Sequence, residues 1–146
     1  MFGLFGKKFK KASAEAQAAM AKNMNRDLME GVVFGAFYVA GADGELSESE
    51  IKKLEKIINN QSTLKGFGAE LSNSMDQAEN LFTDSPRLLR QRAEKELSDL
   101  QHDREAATTV MNILLTIADE GGIDETEAAA LDKAAKWMGL NLKDFE

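Results

Sequence analysis

Apolar positions along the chain gather at helical spacing into segments separated by short polar turns. The pattern predicts an Ala-rich helix from Ala12 to Met24, an apolar helix over Leu28–Gly41, and a third helix opening near Glu48. A moderately amphipathic helix over Phe67–Phe82 follows a glycine-containing linker, Gly66 to Gly68. Ser85-Pro86 is a strong start signal, with Ser as cap and Pro at the first helical position, for a charged and more exposed helix over Pro86–Leu100. Asp103 caps the next helix, whose apolar part is Ala106–Asp119, and a last helix begins after Asp124 and ends among Trp137, Met138 and Leu140. The expectation is therefore an all-α fold of about seven helices around two apolar central ones. The most apolar stretches, Val32–Ala42 and Val110–Ala118, fall well short of the roughly 20 residues needed to span a bilayer and read as buried core helices.

The chain also repeats itself. Shifted by 77 residues, 31–58 aligns with 108–135 without a gap. Val33 falls on Val110, Gly44 on Gly121, Glu48 on Glu125, Glu50 on Glu127, Leu54 on Leu131 and Lys56 on Lys133. In each copy an apolar helix runs to an acidic residue and a glycine (Asp43-Gly44, Glu120-Gly121), where glycine can take the left-handed conformation that ends a helix. One apolar residue follows, Leu46 or Ile123, and then a capping box, Ser47 with Glu50 or Asp124 with Glu127. Leu46 and Ile51 are placed to form a hydrophobic staple in the first copy; the residue matching Ile51 in the second is only Ala128. The repeat unit is a helix-turn-helix pair used twice, in pseudo-symmetric halves.

Composition narrows the function. The 146 residues include no Cys, one His, one Pro and one Trp, which excludes disulfides, Cys-based zinc sites, a Cys nucleophile and a paired-His mechanism. The net charge of −7 is unevenly spread. Residues 1–29 hold six basic and two acidic side chains, and residues 30–146 hold 12 basic and 23 acidic, a balance of +4 on the start and −11 on the body. An acidic body repels phosphates, so nucleic acid is not an expected partner; cations and basic partners are. The start itself, with Phe2, Phe5 and Phe9 at helical spacing among Lys7, Lys8, Lys10 and Lys11, has the makeup of a short interfacial helix that meets an anionic membrane surface through residues 1–11. The same composition also suits an arm that packs on its own acidic domain. The organisation expected is this arm and the Ala-rich helix over 1–25, followed by one helical domain over 26–146.

The acidic turns are the candidate chemistry. Glu48, Glu50, Glu125 and Glu127 fall in first turns of helices, where the macrodipole favours carboxylates and capping accounts for them. Asp43, Asp119 and Glu120 fall at helix C-terminal ends, where negative charge is disfavoured by about 0.3–1 kcal/mol. A bound cation, taking carboxylate and free carbonyl oxygens together, would account for them; a solvated acidic rim is the other reading. The spacing is not that of an EF-hand, because the twelfth position from Asp43 is Leu54 and from Glu120 is Leu131, where a bidentate Glu is required. His102 lacks a partner at useful spacing and reads as a surface residue, Met20, Met24 and Met29 read as core filler, and no nucleophile elbow, P-loop or dinucleotide fingerprint occurs. No active site is expected.

The doubled pattern, VAGADGELSESEIKKLEKII and TIADEGGIDETEAAALDKAAKWMGL, resembles the tellurite-resistance protein B (TerB) family, and the likeness extends to Leu100–Ala107 and to the Phe-and-Lys start. The resemblance implies a helical domain of seven helices with pseudo-two-fold halves. It implies a cytoplasmic, non-enzymatic role in resistance to tellurite and other stresses. It implies divalent cation binding through the acidic turns, with calcium the favoured ion, and work at the inner membrane face with an integral membrane partner and other Ter-type proteins. Its Asp-Gly falls on Asp43-Gly44 and its helix-start Glu on Glu50; in the second half these become Glu120-Gly121 and Glu127, with Asp119 able to substitute. The implied ligand set is Asp43, Glu50, Asp119, Glu120 and Glu127. The same helical domain occurs in a membrane-anchored DnaJ-type co-chaperone, which leaves a metal-independent interaction module docking a basic partner as the alternative.

Overall fold

A computed structural model describes the backbone of residues 14–146 and the side chains of residues 26–146. Six α-helices are present among the described residues: α1 (Ala14–Ala40), α2 (Glu48–Asn59), α3 (Ala69–Asp84), α4 (Pro86–Ser98), α5 (Arg104–Gly121) and α6 (Glu125–Trp137). Three short 3₁₀ turns, Ser62–Phe67, Asp99–His102 and Leu142–Phe145, complete them, and no strand occurs among the described residues. The fold is all-α, as the pattern predicts. No helix among the described residues is long and apolar enough to cross a membrane. The expected arm over residues 1–11 lies outside the described residues.

One boundary differs. The Ala-rich helix and the first central helix are a single helix, α1, which runs through Asn25-Arg26-Asp27 without a break. Asn25 and Asp27 are weak helix formers, but each costs only a few tenths of a kcal/mol, Arg26 between them is a good one, and neither Gly nor Pro interrupts the segment. Two smaller boundaries also move. Phe67 ends a 3₁₀ turn rather than opening α3, and the helix expected to reach Leu100 tightens into 3₁₀ after Ser98.

The core lies where α1 meets α3, α4 and α5, with α2 and α6 closing either side. The repeat identities map onto it. Val33 and Val110 are fully buried, as are Phe37 and its counterpart Leu114, and Leu54 and Leu131 lie in the same apolar cluster. Sequence symmetry here reflects two helix pairs that each bury one face against the other's. The predicted caps are formed. The Ser85 hydroxyl accepts from the Arg87 amide at 3.3 Å, and Asp103 Oδ1 accepts from the Ala106 amide at 3.1 Å.

One polar nest interrupts the core between α1 and α4. Glu96 is buried, and its carboxylate accepts from Arg92 Nε at 2.8 Å. The Arg92 guanidinium lies 4.3 Å from the centre of the buried Phe34 ring, a cation–π contact. Burial and a hydrogen bond shared with Glu96 raise the Glu30 carboxyl above its ordinary range, against the pull of Arg92 and Arg26.

Candidate functional site

The two acidic turns differ in where the helix stops. In the first copy α1 ends at Ala40, and the chain turns through Gly41–Gly44, the Gly44 amide donating to the Gly41 carbonyl at 2.9 Å. Gly44 has φ +87°, the left-handed conformation expected of it. Asp43 therefore lies beyond the helix end, not in its last turn. Its Oδ1 accepts from the Glu45 amide at 3.0 Å, so local structure supplies part of the reason for a carboxylate there. In the second copy α5 continues to Gly121, and the left-handed residue is Gly122, with φ +82°. The expectation for Gly121 is thus corrected by one position. A second adjacent glycine lets the helix run on before it turns, and Asp119 and Glu120 stay exposed in its final turn.

The caps differ too. In the first, Ser47 Oγ accepts from the Glu50 amide at 3.2 Å and the Glu50 carboxylate accepts from the Ser47 amide at 3.0 Å, a complete capping box. These bonds hold the Glu50 carboxyl below its ordinary range. In the second, Asp124 Oδ1 accepts from the Glu127 amide at 2.7 Å. Glu127 itself is half-buried, and its carboxyl is raised. Burial is the main cause, the neighbouring Asp124 charge adds to it, the Asp124 amide pulls the other way, and Asp43 of the other turn raises it further.

The halves converge on one cavity of about 130 Å³ between α1, α2, α5 and the start of α6. Glu50 and Glu127 both line it, over apolar side chains that include Val39, Leu54 and Leu114. Of the five carboxylates expected to act together, the structure brings Glu50 and Glu127 to a common wall and sets Asp43 within electrostatic reach of Glu127. Asp119 and Glu120 are not on that wall.

Two features escaped the sequence reading. Lys53 lines the same cavity, one turn after Glu50 on the same face of α2; its spacing was visible, its destination was not. Glu55 of α2 meets Asp76 and Glu79 of α3, their carboxylate oxygens lying within 4.8 Å of one another. Burial, Glu79 and Asp76 raise the Glu55 carboxyl, in that order. The i, i+3 pair on α3 was a readable signal of stacked like charge. The third member comes from another helix and becomes visible only with the fold. Among the described residues this trio is the group of three carboxylates whose oxygens lie close enough together to share an ion without water between them.

The family model described as tellurite resistance protein TerB matches residues 29–146. No curated protein and no solved structure matches the chain.

Proposed function

The chain belongs to the TerB family of tellurite resistance proteins, and on that premise we propose that it is a non-enzymatic stress-response adaptor that takes up a divalent cation between its two acidic turns. The observation that carries this reading is the convergence of Glu50 and Glu127, from equivalent places in the repeat, on one cavity with Asp43 nearby. Carboxylates of two turns and water would supply the oxygen ligands a hard cation needs, and calcium tolerates such irregular geometry best. Asp119 and Glu120 would join only if the end of α5 moved toward the cavity. The partners on this reading are other Ter-type proteins, including one in the membrane, reached at the cytoplasmic face with residues 1–11 against anionic lipid.

Calcium titrated into ¹⁵N-labelled protein should shift the amides around Gly44 and Gly121, and Glu127→Gln should weaken the effect more than Glu79→Gln. Identical spectra with and without calcium, magnesium and manganese would sink the cation. A stronger loss in the Glu79 variant would move it to the trio of α2 and α3. Flotation with anionic liposomes, unchanged after deletion of residues 1–11, would remove the membrane part.

The apolar floor of the cavity favours a second reading. Val39, Leu54 and Leu114 below Glu50 and Glu127 suit the aliphatic stem of a long basic side chain of a partner better than a hydrated metal ion. Partner capture that survives chelator would support this metal-independent module.

A further inference from the structure

A second concavity, of about 290 Å³, opens on the other side of the first turn, between the end of α1, the end of α3 and the start of α4. Tyr38, Ala42, Phe82 and Leu89 give it an apolar lining, with room for one leucine- or phenylalanine-sized side chain. Arg87 and Arg90 stand on its α4 wall, and the positive strip continues outward along that helix as far as Gln91 and the carboxylate of Glu94. Both arginines are exposed, and neither forms a salt bridge among the described residues. On a body that carries −11 over residues 30–146, two adjacent uncommitted guanidiniums beside an apolar pocket are the local exception to the charge.

We propose that this groove docks an acidic peptide segment of a partner protein, one apolar side chain entering the pocket while flanking carboxylates pair with Arg87 and Arg90. Guanidinium forks bind carboxylates in bidentate geometry, and the pocket supplies the desolvated anchor that exposed ion pairs lack. The chemistry is opposite in sign to that of the cavity lined by Glu50 and Glu127, so one turn separates a surface for cations from a surface for anions. The groove does not depend on the cation reading, because none of the turn carboxylates lines it.

The test uses the full chain and a fluorescein-labelled octapeptide of aspartates and glutamates around one phenylalanine. Binding should be saturable, weaken with salt, and shift the Gly41 and Gly44 amides. The double variant R87A/R90A, at exposed positions and checked for its helical spectrum, should weaken it by about fivefold or more. Replacing the phenylalanine with alanine should weaken it comparably. The proposal is overturned by no binding at millimolar peptide, by equal affinity for R87A/R90A, or by amide shifts confined to other helices. Two other results also overturn it: phosphatidylserine vesicles bound through these arginines while the peptide is not, which assigns the groove to lipid, and self-association lost in R87A/R90A, which assigns it to a second copy.

Discussion

Glu50 and Glu127 hold the same place in the two copies of the repeat and line one cavity, yet the fold pushes their proton affinities in opposite directions. The Ser47 box stabilises the Glu50 anion, so its contribution to stability is present above the unfolded pKa and lost as pH falls through the lower folded value. Glu127 is raised, so its contribution is present below the unfolded pKa and lost as pH rises through the higher folded value. At neutral pH Glu50→Ala should lower the urea midpoint by removing half of the capping box. Glu127→Gln should be neutral or gain up to about 0.5 kcal/mol, a gain that fades in acid. Urea denaturation at neutral and acidic pH measures both, and losses of equal size would refute the asymmetry.

Proton and cation compete for Glu127. If a cation binds at the turns, its affinity should rise with pH through the raised range of Glu127, and Glu127→Gln should flatten that rise. Calorimetric titration in buffers of different ionisation heat would detect the released proton.

Among the described residues Arg92 forms the salt bridge to the buried Glu96. Arg92→Ala removes the ion pair of that carboxylate, leaving it only the hydrogen bond shared with Glu30, and removes the stack on Phe34, and should cost about 3 kcal/mol. The double variant Arg92→Met, Glu96→Leu should recover most of it, since the demand lies in pairing rather than in charge. Denaturant midpoints decide; a single variant as stable as the parent would contradict the geometry.

The glycines of the two turns should behave differently. Gly44→Ala forces a Cβ into the left-handed region and should cost about 1–2 kcal/mol. Gly121→Ala lies in a helix with open space around it and should gain about 0.5 kcal/mol. Gly41 is a steric case, because a Cβ there would fall 2.5 Å from Phe82 Cε2, and Gly41→Ala should cost about 1–3 kcal/mol.

Helices and their caps were legible because they depend on neighbours in the sequence: Ser47, Ser85, Asp103 and Asp124 all cap, although the box expected of Asp124 and Glu127 forms only its Asp124 half. The continuity of α1 was not, because Asn25-Arg26-Asp27 resembles a break when tertiary packing is left out. The turn of the second copy was misplaced by one residue because two adjacent glycines offer the same freedom. Of the candidate site, the equivalence of Glu50 and Glu127 was readable from the repeat. Their meeting at one cavity, the intrusion of Lys53, and the closure of Asp76 and Glu79 onto Glu55 depend on how helices cross, which no local pattern encodes.

The one tryptophan and the one tyrosine of the chain face each other, Trp137 and Tyr38, with ring centroids 5.1 Å apart. At that separation tyrosine excitation passes to the indole, so the folded protein emits almost wholly as tryptophan and a phenol band emerges only when α6 leaves α1. The molecule thus carries its own label-free optical gauge of unfolding, in which the appearance of the phenol band reports the separation of α6 from α1.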